Sequence, residues 1–248
     1  MKYKHFIDDV IINYTRKPLP DNFYDFNILC KFITEKDYPF LEPFFSQKRI
    51  NIIYWIKART YWILMKNATR NIIQNIIEKL INRESNDYEN INKIIKTLPC
   101  TLENTIDKFT TLNKYNFNEN RILTTSKIIN AIEIQKFNVT TGYKYSPLGS
   151  GIEDNRVFVG TIKGQDVVSL CSMTFPSYNT CVTIGIGTEE KHRCKGYATS
   201  NVILMAKYIV EKGGSIHYSC ETQNIASKNV AISAGLKNVA RVYEIIIT

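Results

Sequence analysis

The sequence predicts an α/β (α+β) chain, with a mainly helical N-terminal part over 1–120 and a strand-rich C-terminal part over 121–248. Three observations carry this reading. Apolar pairs recur every four residues over 71–81, giving one broad helical face. Runs of β-branched residues separated by Gly and Pro turns fill 156–188. From 197 onward, segments of helical and strand period alternate to the end of the chain.

In the N-terminal part, Pro18, Pro20, Pro39 and Pro43 keep the opening stretch in short pieces. The segment 51–65, with Tyr54, Trp55, Tyr61 and Trp62, reads as a helix whose aromatics enter the core. The pairs Ile72/Ile73, Ile76/Ile77 and Leu80/Ile81 form the apolar face of a helix over 71–81. Ile91, Ile94 and Ile95 repeat the pattern until Pro99 closes it. A short helix is predicted over 125–136, and Pro147, Gly149 and Gly151 mark 145–155 as a loop.

The core of the second part runs from 156 to 248. Strands over 156–163 and 166–175 join through Gly164 as a hairpin, 176–180 turns, and Cys181–Thr188 is a third strand. Ala198, Val202, Met205 and Ile209 share one face of a helix over 197–212, which Gly213 and Gly214 end. Ser215–Glu221 reads as a strand, 224–234 as a helix stopped at Gly235, and 239–247 as the last strand. The order from 156 is therefore β-β-β-α-β-α-β.

With 248 residues, 44% hydrophobic and 12% aromatic, the chain can bury a proper core. A net charge of +9 and a pI near 9.1 favour anionic partners: nucleic acid, a membrane surface or a polyphosphate cofactor. The basic residues are spread along the chain as a solvated surface, and no zinc-finger spacing, RRM signature or basic heptad helix accompanies them. Nucleic-acid and membrane partners are therefore not expected. Six cysteines, at 30, 100, 171, 181, 194 and 220, form no CxxC pair and only three histidines accompany them, so no metal site is expected. The first residues, with Lys2, Lys4, Asp8 and Asp9, lack the apolar core of a secretory signal, and 50–65 is too short and too charged to span a bilayer. These features imply a cytoplasmic protein with reduced thiols.

The most informative segment is Arg193-Cys194-Lys195-Gly196-Tyr197-Ala198, between a β-branched strand and a helix. A strand, a basic Gly turn and the unpaired N–H groups of a first helical turn together make an anion site. Arg193, Gly196 and Ala198 fill the places of the pattern Arg/Gln-x-x-Gly-x-Gly/Ala, and the segment resembles the pyrophosphate loop of the GNAT acyltransferases. Asn224-Ile225-Ala226-Ser227, eleven residues before Gly235-Leu236, is similar to the family's second motif, while Asn224 also reads as an N-cap assisted by Ser227. The helical first part and the Tyr-containing last strand resemble a branch of the family that includes some antibiotic self-resistance acetyltransferases.

The resemblance implies a mixed twisted sheet with flanking helices, and an N-acetyltransferase that uses acetyl-CoA (coenzyme A) and an amine-bearing acceptor, a small molecule rather than a protein. It implies that Arg193, Cys194, Lys195, Gly196, Tyr197, Ala198 and Thr199 hold the pyrophosphate. It also implies that Ile184, Gly185, Ile186 and Gly187 run beside the pantetheine arm where their strand splays from the next, with Asn224 and Ser227 contacting that arm. A glycine inside a strand marks a bulge or a close backbone approach, which suits Gly185 and Gly187.

Transfer to an amine requires a proton acceptor, donors for an oxyanion, and a fate for the thiolate. Glu221, ending its strand three residues before Asn224, is the candidate base, amine anchor or simple helix-start charge. His217 alternates to the same side, Glu189 and Glu190 read as a solvated charge run, and a water chain is a further option. Many family members place a Tyr seven residues after the motif Asn; here that position is Ala231, leaving Tyr243 and Tyr218 as candidate substitutes. A catalytically silent acyl-CoA-binding module is the alternative that this departure raises.

Overall fold

The computed structural model describes residues 28–33, 49–55, 60–66, 93–97, 100–110, 117–134, 136–140, 157–173 and 181–247. Its strands are β1 (Ile28–Ile33), β2 (Arg49–Trp55), β3 (Thr60–Lys66), β4 (Cys100–Thr110), β5 (Ser126–Asn130), β6 (Asn138–Val139), β7 (Val157–Lys163), β8 (Asp166–Met173), β9 (Cys181–Thr188), β10 (Ser215–Glu221) and β11 (Lys237–Ile247). Its helices are α1 (Ala131–Ile134), α2 (Tyr197–Glu211) and α3 (Ile225–Ser233). The described residues fall into two compact units: 109–220 with 224–238, and 28–108 with 221–223 and 239–247.

In the first unit the strand order is β10-β9-β8-β7-β5, with β6 on β8. Pairing is antiparallel from β5 to β9 and parallel between β9 and β10, the two strands that α2 connects. The mixed sheet and its flanking helices are thus present. The strands predicted from β-branched runs form at β7, β8, β9 and β10, and the hairpin turns at Gly164 with φ 62°. Alternation sorts the sheet's residues by face. Val159, Cys171, Ile184 and Ile216 join Val202, Ile203, Met205, Ala206 and Ile209 of α2 in one core, while Phe158, Val167 and Leu170 join Ile129 and Ile134 in another. Val202, Ile203 and Met205 are each fully buried, and burial of one such side chain contributes about 1.5–3 kcal/mol. Gly160 makes room for the Ile129 side chain, since a Cβ there would lie 2.6 Å from Ile129 Cδ1.

In the second unit the order is β1-β3-β2-β11-β4. Here the N-terminal prediction needs correction. The described residues of 51–65, which are 51–55 and 60–65, are strand and not helix; they lie in β2 and β3, an antiparallel pair in register from Asn51↔Leu64 to Trp55↔Thr60. The dense β-branched and aromatic residues suit a pleated surface, and these strands pair further with β11 and β1. Ile52 and Tyr54 are buried. Among the described residues of 1–120, strands outweigh helix; Ile94 and Ile95 are buried in or beside a helical turn at 93–95, as their spacing predicts. The predicted helix over 71–81 lies outside the described residues, as does the loop over 145–155.

The short helix predicted over 125–136 is corrected too. Ser126–Asn130 is the edge strand β5, and only Ala131–Ile134 is helical, with Asn130 Oδ1 accepting from Ile132 N at 3.0 Å and Glu133 N at 2.7 Å. Pairing of Ile128 and Ile129 with β7 prevails over helix propensity. Among the described residues, no helix is long and apolar enough to cross a membrane.

Candidate active site

β9 ends at Thr188, and the chain passes through a 3₁₀ turn, Glu190–His192, before the loop that enters α2. Glu189 holds this turn together. Its carboxylate accepts a 2.9 Å bond from Thr140 Oγ1, pairs with Lys191 Nζ at 2.9 Å and lies 3.7 Å from His192 Nε2. The Lys191 ammonium hydrogen-bonded to it keeps the carboxyl below its usual range. Glu189 is therefore an ion-paired part of the turn.

The loop reverses hand twice. Arg193 is extended (φ −65°, ψ 164°), Cys194 is left-handed (φ 60°), and Gly196 is left-handed again (φ 79°, ψ −1°) at the N-cap of α2. The left-handed region costs a residue other than Gly about 1–2 kcal/mol, so Gly196 takes its place without the strain that Cys194 bears. The first α-helical bond is Ser200 N to Gly196 O at 3.0 Å, and the N–H groups of 194–199 donate to no carbonyl among the described residues. They are the orphan donors of a helix start, with the positive end of its dipole behind them. Arg193 and Lys195 are exposed beside them, held to the loop by bonds to Thr188 O (3.4 Å) and Lys191 O (3.2 Å). The Tyr197 ring lies under Lys163 Nζ at 5.6 Å and beside His192. Thr199 is buried. Unbonded N–H donors at a helix start, a left-handed glycine and two cations fit a diphosphate group.

β9 pairs with β10 only at Ser215↔Cys181, Ile216↔Val182 and His217↔Thr183. Beyond that point Ile184, Gly185, Ile186 and Gly187 continue in regular register with β8, leaving alternate N–H and C=O groups of β9 facing the gap. No bulge interrupts the pairing of Ile184, Gly185, Ile186, Gly187 and Thr188 with β8. Ile184 and Ile186 face the α2 core, which puts Gly185 and Gly187 on the other face with no side chain. This open backbone edge fits an extended amide-bearing chain.

Asn224 caps α3, its Oδ1 accepting from Ser227 N at 3.0 Å. Ser227 Oγ lies 2.6 Å from Tyr218 Oη, which also bonds Ser227 O at 3.1 Å. Burial pushes the Tyr218 phenol up to about 12. Tyr218 is thus held in its neutral, hydrogen-bonded form against Ser227. It positions the first turn of α3. Ala231, at the family's Tyr position, is fully buried in the core.

The loop, the open edge of β9, Asn224 and Ser227 all belong to the first unit. Glu221 is exposed at the end of β10, and Tyr243 is buried on β11 opposite Ile52; both belong to the second unit. The sequence reading singled out neither Ser200 nor Asn201, both fully buried in α2 directly after the cradle. Two polar residues breaking the apolar face of a helix next to an anion loop were the available signal. Among the described residues, no group of His, Cys, Asp and Glu is placed to hold a metal ion.

A family model of GNAT acetyltransferases matches residues 40–245. The chain belongs to the GNAT acetyltransferase family. Its match covers most of the chain, including much of the N-terminal part that sequence motifs left unassigned. The protein is an acyltransferase of that family, whose members typically use acyl-CoA. Solved structures of GNAT proteins align with part of the chain. A GNAT-family acetyltransferase from Colwellia psychrerythraea aligns at 13% identity over 76% of this chain and 76% of its own, with a TM-score of 0.49. A GCN5-related N-acetyltransferase from Kribbella flavida aligns at 12% identity over 63% of each chain, with a TM-score of 0.46. A GCN5-related N-acetyltransferase-like protein from Streptococcus suis aligns at 15% identity over 74% of this chain and 70% of its own, with a TM-score of 0.42. No curated protein matches the sequence.

Proposed function

We propose that this GNAT protein is a cytoplasmic N-acetyltransferase that moves an acetyl group from acetyl-CoA to a primary amine of a small-molecule acceptor. The observation that carries the donor half is the run of N–H groups at 194–199, accompanied by the exposed cations of Arg193 and Lys195 and following β9, whose edge beyond Thr183 is not paired with β10. The loop binds the pyrophosphate, Ile184 to Gly187 hold the pantetheine amides and the thioester carbonyl by backbone bonds, and Asn224 adds a contact from its amide nitrogen. Acetyl-CoA supplies the activated acyl group and a thiolate leaving group whose pKa is only moderately above neutral.

Glu221, exposed at the end of β10, accepts the proton of the attacking amine, directly or through water. Tyr243 is a candidate for returning a proton to the thiolate, as is Tyr218, and unchanged turnover in Tyr243→Phe would remove the first. Cys100, Cys171, Cys194 and Cys220 are free thiols, in keeping with a reducing compartment. Neither nucleic acid nor membrane enters this reading.

The test is a panel of primary amines, small molecules and peptides together, with release of free CoA as the readout. Amine-dependent CoA release by small-molecule amines is expected. Binding of CoA with no release above the amine-free rate would replace the enzyme by a binding module.

A further inference from the structure

We infer that Asn201 is a positioning residue for pyrophosphate binding, because it completes a buried hydrogen-bond chain that fixes the start of α2, and with it the 194–199 N–H groups, against four strands. The inference rests on the acyl-CoA reading above and assigns a means by which that site is held in shape.

The chain can be followed proton by proton. Leu123 N donates to Ser200 Oγ at 2.9 Å, and Ser200 Oγ donates to Ser126 Oγ of β5 at 2.8 Å. Ser126 Oγ and Thr161 Oγ1 of β7 are 3.1 Å apart, and Thr161 Oγ1 donates to Asn201 Oδ1 at 3.1 Å. A hydroxyl has one proton, so Ser126 must be the donor to Thr161. Asn201 Nδ2 donates to both Ser169 O and Ser169 Oγ of β8 at 3.1 Å. Ser169 Oγ then meets Thr188 Oγ1 of β9 at 2.8 Å, and Thr188 O accepts from Arg193 Nε. Every donor along the row points the same way, from Leu123 through Asn201 to Ser169. Only a side chain that accepts at one atom and donates at another closes the middle of the row.

The row is confined to one end of α2. Farther along, the buried face of the helix is Val202, Ile203, Met205, Ala206 and Ile209, with exposures of 0 to 3%. Ser200, Asn201, Thr161 and Ser169 have no exposure at all. Apolar contact is non-directional and lets a helix slide along its axis, whereas a connected row of hydrogen bonds fixes its rotation and its axial position. Consecutive bonds also polarise one another. The row meets the sheet where β7 and β8 shift register between Thr161 and Ile162, beside the Glu189 N to Val168 O bond that anchors the turn. Both ends of the anion loop, Thr188 before it and Ser200 after it, are therefore tied to one rigid polar layer. A cradle held in its binding geometry in this way binds an anion without paying the entropy of ordering the loop.

The test measures CoA binding by titration calorimetry, and turnover with two donors, acetyl-CoA and S-acetylpantetheine, which lacks the pyrophosphate. The variants are Asn201→Leu and the milder, near-isosteric Thr161→Val. Ile129→Ala, in the core on the other face of the sheet, controls for loss of stability. Both row variants are expected to raise the Kd for CoA and the KM for acetyl-CoA about tenfold or more, with kcat at saturation within about threefold. Neither should change kcat/KM for S-acetylpantetheine, and Ile129→Ala should leave the Kd for CoA unchanged. If Asn201→Leu does not fold, Thr161→Val decides. Unchanged CoA affinity in a folded row variant, or equal losses with both donors, would overturn the inference alone. A wild type that binds no CoA would overturn the acyl-CoA reading itself, and this inference with it.

Discussion

Thr183 and His217 are the last paired residues of β9 and β10, and their side chains meet there, Oγ1 to Nδ1 at 3.3 Å. Above this contact β9 is paired on one side only, so the two residues define the vertex at which its backbone becomes available to a ligand. His217 is almost wholly buried and works as a pin between the strands. His217→Asn retains a polar group able to reach Thr183 and is expected to hold kcat within about threefold. A loss of hundredfold or more, with CoA affinity unchanged, would make His217 the proton acceptor in place of Glu221.

Asn224 combines two roles that one substitution separates. Its Oδ1 is committed to the cap bond with Ser227 N, which leaves its amide nitrogen to serve a ligand. Asp is as good an N-cap as Asn, so Asn224→Asp should alter stability by less than about 0.5 kcal/mol. Affinity for CoA should fall severalfold, since a donor becomes an acceptor. Titration calorimetry beside a thermal melt checks both. Equal CoA affinity would leave Asn224 as a cap alone.

Glu189 ties the turn before the loop, and its lowered pKa fixes the sign of a pH effect. An acid whose folded-state pKa is depressed contributes stability above its unfolded value, and loses it as pH falls through the folded value. The difference in Tm between wild type and Glu189→Gln should therefore be constant above about pH 5 and should shrink below about pH 4. Melts from pH 7 to pH 3 measure it. A difference that grows on acidification would contradict the ion-paired assignment.

If Glu221 is the base, Glu221→Gln should lower kcat by about 10²–10⁴-fold with CoA affinity nearly unchanged. A role as amine anchor would instead raise the KM of the acceptor. Full activity in this variant would remove Glu221 from the site and leave a water chain, the loop acids Glu189 and Glu190, or His217 as the proton acceptor.

Much of the first unit was legible because each signal was local. Gly164 and the β-branched runs marked the β7–β8 hairpin, the helical period marked α2, and Asn224 and Gly235 bracketed α3. The loop was legible for the same reason, since Gly196 stands where φ is 79° and the helix starts. The strands of the second unit were not. Trp55 and Trp62 lie in runs whose aromatic and aliphatic residues fit a helix face and a pleated strand equally well, and pairing with the distant β11 decides between them. Ser126–Asn130 was misread for the same reason, its partner β7 being far along the chain. Asn201 escaped notice because its meaning lies in four hydroxyls, Ser126, Thr161, Ser169 and Thr188, drawn from four strands. Local spacing cannot show that the sheet brings them to one row.

The loop itself provides the most direct test. At Gly196 a Cβ would point into open space, its nearest neighbour being Leu123 Cδ1 at 4.0 Å, and Asp tolerates the left-handed backbone better than most residues. Gly196→Asp should therefore fold while setting a carboxylate against the pyrophosphate at close range, where like charges repel strongly. The deciding measurement is the thermal midpoint of wild type and Gly196→Asp with and without CoA. For the wild type, CoA at a hundred times its Kd should add about 2.7 kcal/mol of stability. The variant should show no shift, whereas equal shifts in both proteins, or none in the wild type at millimolar CoA, would contradict binding at this loop.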